Sequence, residues 1–391
     1  MKRFSAHYIF TGSGTPLKHG LVTTTDEGEI ISVEAPDTDL KETRSVQFFN
    51  GIIVPGFVNA HCHLELSHMK GTIPEGGGLP EFLMKVRTTR HFDASEIRAE
   101  AIKADSFMHD EGIVLCADIC NTADTFEIKK KSRIIYISLI EEFGIDPERA
   151  EKRMDDALPV IREAQRAGLE YYVVPHSAYS MSKPLLKLLK EAGKDNKVTS
   201  VHFMESESEI RFLRSNDGGL ADSFRASGLM PSEPDLPGSH LSAIREGITG
   251  TGNLILVHNT FADEATITEV NKRGNTFWAL CPRSNLFIEN TLPPVELLRS
   301  QKCNIIIGTD SLSSNHSLSI LEEMKVLQNN FPAVSLSEIM AWGTANGARA
   351  LGKDDIYGSI EAGKKPGLLL IENLDLHNLK LIKESRVRRL I

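Results

Sequence analysis

Residues 51–68 read GIIVPGFVNAHCHLELSH. The apolar run Ile52-Ile53-Val54 with Phe57-Val58, closed by polar residues, suits a buried strand of a parallel sheet. It ends in His61-Cys62-His63. Successive side chains of a strand point to opposite faces, so His61 and His63 share one side, about 6.5 to 7 Å apart along the backbone, with Cys62 turned away. Two imidazoles so placed can hold one metal ion, and they can equally be two satisfied histidines at a strand end. The rest of the chain separates these readings.

Upstream, short alternating segments at 6–10, 20–24, 30–34 and 45–49, separated by Gly, Thr, Asp and Pro, have the pattern of a small antiparallel sheet. From Ile52 onward the rhythm changes. Apolar runs at 52–60, 112–119, 133–140, 171–175, 198–203, 254–257, 277–280 and 304–307 alternate with helical patterns at 80–92, 97–109, 147–167, 183–192, 263–273, 294–300 and 319–329. Eight strands alternating with helices over roughly 280 residues match an α/β fold of the (β/α)8 type, the TIM barrel, whose usual length is about 250 residues plus insertions. The alternative is a doubly wound open sheet, marked by a glycine fingerprint after its first strand. The nearest candidate, GITGTG at 247–252, precedes a strand and reads as a turn.

The chemically capable residues fall at strand ends. His61 and His63 close the first barrel strand, His176 the fourth, His202 and Glu205 the fifth, His258 the sixth and Asp310 the eighth. In a barrel those C-terminal ends converge on the face that carries the active site. With 13 histidines in the chain, a scatter of structural ones would not respect that rule, so a shared metal site is expected.

Chemistry assigns the roles. Zinc or a similar borderline ion takes imidazole nitrogens and a carboxylate, and a catalytic site leaves a position open for water. His61, His63, His202 and Asp310 supply three nitrogens and one oxygen. An ion so held lowers the pKa of its water from 15.7 to about 7, and Asp310 could accept the proton released. Glu205, three residues past His202, could carry protons above the ion; it reads equally as a first-turn carboxylate of the next helix. His258 could hydrogen-bond the attacking oxygen, or be a packed core histidine.

Composition narrows the partners. Lys+Arg 44 against Asp+Glu 53 gives a net charge of −9, with no basic run dense enough to follow a phosphate backbone, so nucleic acid is excluded. No span approaches 18 apolar residues, and the opening MKRFSAHYIFTGSG is too interrupted for a signal peptide, so a cytoplasmic protein with no membrane partner is expected. The five scattered cysteines read as reduced, packed thiols.

The segments PGFVNAHCH, VPHSAYSMS, VHFMESESE, LVHN, CPRSNLFI and GTDSLSSN resemble the strand-end motifs of the amidohydrolase superfamily, in the branch with chlorohydrolases, guanine deaminase and nucleoside deaminases. WGTANGARALG and YGSIEAGKKPG are similar to that branch's C-terminal pattern, with Lys364-Lys365-Pro366-Gly367 where it usually has Lys-x-Ala-Asp. The resemblance implies a metal-dependent barrel at 53–340 and a small β-sandwich from 1–52 and 341–391. It implies His61, His63, His202 and Asp310 as ligands, Glu205, His258 and Asp310 as catalytic residues, and His176 as a substrate contact. Two-metal relatives generally use a bridging carboxylate, often a carbamylated lysine after strand 4; here Pro175-His176 stands there. One divalent ion per chain is therefore expected, zinc first and iron or manganese as alternatives, with Glu141 and Glu142 the candidates for a second.

Specificity is carried by HLELSHMKG after the first strand and by a Gly/Pro/Ser-rich insertion at 206–241, which are expected to wall the site. Glu65, His68, Arg87, Arg90 and Arg283 are the polar groups expected to meet a small-molecule substrate. The HLELS pattern before a glycine-rich turn and an amphipathic helix is similar to the aminodeoxyfutalosine deaminases, which carry a tryptophan where this chain has Glu81-Phe82. The expected reaction is hydrolytic deamination of an aminated aromatic heterocycle, such as a purine nucleoside. Hydrolysis of a cyclic amide, a chloro-heterocycle or an N-acyl amide is the alternative, and a non-catalytic metal-binding barrel the third. A homodimer is an open option.

Overall fold

The structure, a computed structural model, describes residues 1–35, 45–248 and 252–391. Eight parallel strands, Phe57–Cys62, Ile113–Cys120, Ile135–Glu142, Glu170–Pro175, Val198–Phe203, Asn253–His258, Thr276–Leu280 and Asn304–Ile307, follow one another with helices between them. They pair in two runs of four, each in chain order. Backbone bridges join the runs, Ser177 with His202 on one side and Cys62 with Asp310 on the other, so the eight strands close into a barrel. A cluster of buried side chains drawn from all eight strands, among them Val58, Leu115, Val174 and Ile255, fills the interior. The expected turn at 247–252 lies partly outside the described residues.

The run at 52–60, expected as one strand, is two. Val46–Pro55 belongs to a sheet built from both termini, where Ile53 pairs with Leu370, and the barrel strand begins only at Phe57. Gly56 sits between them against Pro366 and Val114, where any Cβ would clash, and lets the chain pass from one sheet to the other. The terminal sheet runs Lys380–Arg389, Leu368–Asp375, Val46–Pro55, Lys2–Ile9, Leu21–Thr24, Ile30–Glu34, with Leu17–Lys18 on the edge of Lys2–Ile9. It packs on its own core, including Phe4, Ile9, Val22, Ile53 and Leu368. Helix Ala345–Ala350 instead packs with the barrel, its Ala348 among the interior side chains.

The insertion at 206–241 folds as two helices, Glu207–Ser215 and Gly219–Ala226, and leads into a third, His240–Gly247. Ser206 and Ser239 cap the first and third by accepting from the backbone N–H three residues on. Among the described residues no helix is long and apolar enough to cross a membrane.

Candidate active site

His61 and His63 stand at the end of the first barrel strand with their Nε2 atoms 3.1 Å apart. The strand's register shifts between Asn59 and Cys62, which resets the alternation and turns both rings over the barrel. Gly308, just past the eighth strand, lies under His61, where a Cβ would come within 2.8 Å of the histidine's own. Asp310 Oδ1 is 3.8 Å from His61 Nε2 and 3.5 Å from His63 Nε2. Its other oxygen accepts hydrogen bonds from the Ser284 and Ser314 hydroxyls at 2.6 and 2.7 Å. His202 gives its Nδ1 to the His176 carbonyl at 2.9 Å, leaving Nε2 for the centre, and its ring lies 4.9 Å from that of His61.

These side chains fit a metal ion. Burial first, then the neighbouring imidazoles, lowers the pKa of His61 well below its ordinary value, and burial lowers His202 as well. Burial takes His63 down to about 4. The rings are therefore neutral at pH 7, the state in which an imidazole nitrogen can bind a metal. Burial works to raise the Asp310 pKa, but the histidines and two serine hydroxyls outweigh it and hold the group ionised. Three imidazole nitrogens and one carboxylate oxygen converging in a buried space form a donor set for a borderline divalent ion. A second convergent group joins Glu141, His176 and His202.

Glu205 and His258 flank the cluster, with His258 Nε2 3.5 Å from Glu205 Oε1. Burial, reinforced by the charges of Glu209 and Asp310, raises the Glu205 pKa well above the usual carboxylate range. That shift favours the protonated form, which suits a group that passes protons. Its backbone N–H donates to Glu209, which also meets His240 at 3.1 Å. Met204, His258, Asn259 and Asp310 all carry positive φ, a backbone strain concentrated at these strand ends.

A cavity of about 310 Å³ opens above the cluster. His63, His202, Glu205, His258 and Asp310 form its base, and Phe82, Phe143, Phe224 and Leu229 give it apolar walls, Phe224 and Leu229 coming from the insertion. His176 lines it, Nδ1 held by the Ser177 and Ser180 hydroxyls at 2.9 and 3.0 Å and its ring stacked on His202 at 4.5 Å. Arg87 and Arg90 line it too, joined by Arg149 and Arg153, which the sequence did not single out.

Three of the expected substrate contacts lie behind the wall instead. Glu65 accepts from the backbone N–H groups of Asn121 and Thr122, both at 3.0 Å, and pairs with Arg90. His68 meets the Arg90 carbonyl at 3.1 Å and packs on Phe92. The Arg283 side chain donates to Asn315 at 2.9 Å and reaches toward Glu322 and Glu323. All three support the site without facing it.

The profile of the amidohydrolase family matches residues 52–388. The chain belongs to that family. An adenosine deaminase of Helicobacter pylori is 25% identical over 354 residues, covering 87% of this chain and 83% of its own. A 5'-deoxyadenosine deaminase of Methanobrevibacter smithii is 27% identical over 354 residues, covering 85% of this chain and 75% of its own. Among solved structures, Helicobacter pylori aminofutalosine deaminase in complex with methylthio-coformycin superposes with a TM-score of 0.78 at 20% identity over the whole of both chains. A zinc-bound atrazine chlorohydrolase from Arthrobacter aurescens gives 0.74 at 16% identity, covering 99% of this chain and 93% of its own. In this amidohydrolase the barrel carries a metal-type histidine and carboxylate cluster at its C-terminal face.

Proposed function

We propose that this amidohydrolase removes the exocyclic amine of an aminated purine nucleoside, using one divalent ion, zinc, held by His61, His63, His202 and Asp310. The observation that carries the reading is the buried carboxyl of Glu205 beside that donor set and 3.5 Å from His258, its pKa raised by burial. When bound, the ion supplies Lewis acidity and a source of hydroxide at neutral pH. Asp310 Oδ1 accepts the proton of the attacking water. Glu205 protonates the ring nitrogen next to the C–NH2 carbon, and His258 hydrogen-bonds the oxygen as it adds. The amine, a poor leaving group, takes the proton held by Asp310 and departs as ammonia, while the added hydroxyl returns its proton to Glu205 and becomes the ring carbonyl. The relatives named for adenosine and 5'-deoxyadenosine deamination support this choice over amide or chloride hydrolysis.

The cavity supports a substrate larger than a bare base. Its apolar walls end in Arg87, Arg90, Arg149 and Arg153, a cationic rim suited to an anionic or hydroxylated end group. The test is ammonia release from adenosine, 5'-deoxyadenosine, aminodeoxyfutalosine, adenine and guanine, run beside a chlorotriazine and a hydantoin. Nucleosides are expected to lead by at least about tenfold in kcat/KM. Faster turnover of the hydantoin or the chlorotriazine would overturn the deaminase assignment.

A further inference from the structure

Glu141 stands near the end of the third barrel strand, Ile135–Glu142, and lines the cavity beside His176 and His202. Its side chain is 2% exposed. Oε2 accepts from Asn121 Nδ2 at 3.2 Å, and the same amide also holds the Glu141 carbonyl at 3.1 Å. Oε1 has no hydrogen-bond partner. His202 Nδ1, 3.5 Å away, already faces the His176 carbonyl at 2.9 Å. His176 in turn has its Nδ1 engaged by two serine hydroxyls, so Nε2 is the ring atom it has left to offer.

A buried carboxylate oxygen without a donor is costly, and one that lines a ligand cavity has its donor supplied by the ligand. An adenine substituted at N9 carries one N–H donor group, its exocyclic amine, and the proposed reaction commits that group to the metal cluster. The remaining donors are hydroxyls of the substituent. A hydroxyl also suits the carboxyl in either protonation form, because it accepts as well as donates. A vicinal pair could engage Glu141 Oε1 and His176 together.

Resting on the nucleoside reading above, we infer that Glu141, with His176, is the subsite that binds the vicinal hydroxyls of the substrate's ribose. The experiment compares adenosine, 2'-deoxyadenosine and 3'-deoxyadenosine with the wild-type holoenzyme, Glu141→Leu and Glu141→Gln, with metal content and melting temperature measured for each protein. The wild type is expected to prefer adenosine over each deoxy analogue by about tenfold or more in kcat/KM, expressed mainly in KM. In Glu141→Leu that preference should collapse to within about threefold with the metal retained. A wild-type enzyme that treats the three nucleosides alike, or a folded Glu141→Leu that keeps the full preference, overturns the subsite. If Glu141→Leu does not fold, the wild-type series and Glu141→Gln, which keeps the shape but not the charge, decide. A binding arm separates this inference from the deaminase reading: calorimetry with inosine and 2',3'-dideoxyinosine needs no turnover. Tighter binding of inosine that is lost in Glu141→Leu, with no adenosine deaminated, keeps the subsite and sinks the deaminase. Equal binding of the two inosines by the wild type overturns the subsite whatever the enzyme turns over.

Discussion

Two buried ionisable clusters sit within one barrel, and they are built on opposite principles. Outside the strands, Lys129 places its Nζ 2.5 Å from Asp118 Oδ2, 3.2 Å from the Ser138 hydroxyl and 2.9 Å from Cys120 Sγ. Asp118 Oδ1 accepts the Leu64 backbone N–H at 2.7 Å. Burial alone would lower the Lys129 pKa, but Asp118 and Cys120 hold it above its ordinary value, and the ammonium's donors are all matched. Over the barrel mouth, by contrast, His61 Nδ1, His258 Nδ1 and Glu141 Oε1 have no hydrogen-bond partner, and the His61 and His63 rings face each other through their Nε2 atoms at 3.1 Å. A satisfied cluster stabilises a fold; an unsatisfied one, kept at an energetic cost, is where a ligand belongs. The two touch, because Asp118 fixes the backbone of Leu64, the residue after His63.

The largest expected effects separate the two roles at the mouth. His61→Ala and Asp310→Ala each remove a donor from the convergent set, and should lose the metal and lower activity by well over roughly 100-fold. Glu205→Gln should retain the metal and still lose roughly 10²- to 10⁴-fold in kcat, since a carboxamide cannot shuttle protons. Elemental analysis beside kinetics checks both, and a metal-free Glu205→Gln would recast Glu205 as a ligand. One equivalent of metal per chain is expected; two equivalents surviving dialysis would place a second ion at Glu141, His176 and His202.

The next effect is on stability rather than chemistry. Lys129→Met strips the cation from a carboxylate that is 0% exposed, and should cost about 3–5 kcal/mol. Denaturant unfolding measures it, with metal content per folded molecule expected to hold. A loss under about 1 kcal/mol would mean that water reaches Asp118 and that the outer cluster is not closed.

The periodicity of the chain was enough to place the eight strands and the strand-end residues His61, His63, His176, His202, Glu205, His258 and Asp310, because alternation and helix spacing report which face a residue takes. The split at Gly56 was hidden, since both sheets want the same apolar β-branched residues on either side of it. Glu65, His68 and Arg283 were placed near the site by chain position, which gives proximity but not direction. Leu64–Met69 winds as a 3-10 helix with three residues per turn, so period-two reasoning fails just beyond His63 and Glu65 turns inward. Arg149 and Arg153 sit four apart, on one face at the start of helix Ala150–Ala167, but nothing local says that this face meets the barrel mouth. The positive φ of His258 and Asp310 leaves no mark in the sequence at all.

The smallest expected effect is also the sharpest test of the contrast. If the outer cluster exists for stability alone, replacing both of its ions with apolar side chains should restore most of what Lys129→Met loses. The double variant Asp118→Leu with Lys129→Met removes the unpaired charge, but it leaves the Leu64 N–H without the acceptor that Asp118 Oδ1 supplied. That residual defect should cost about 1–3 kcal/mol, clearly less than the single variant. Because Leu64 follows His63, the same defect should loosen the loop that carries a ligand, and metal affinity should fall by roughly 10- to 100-fold while kcat at saturating metal stays close to wild type. Titrating activity against free zinc gives both quantities. Unchanged affinity in the double variant would show the two clusters to be independent, and a double variant no more stable than Lys129→Met would show that the buried pair is not what the outer cluster contributes.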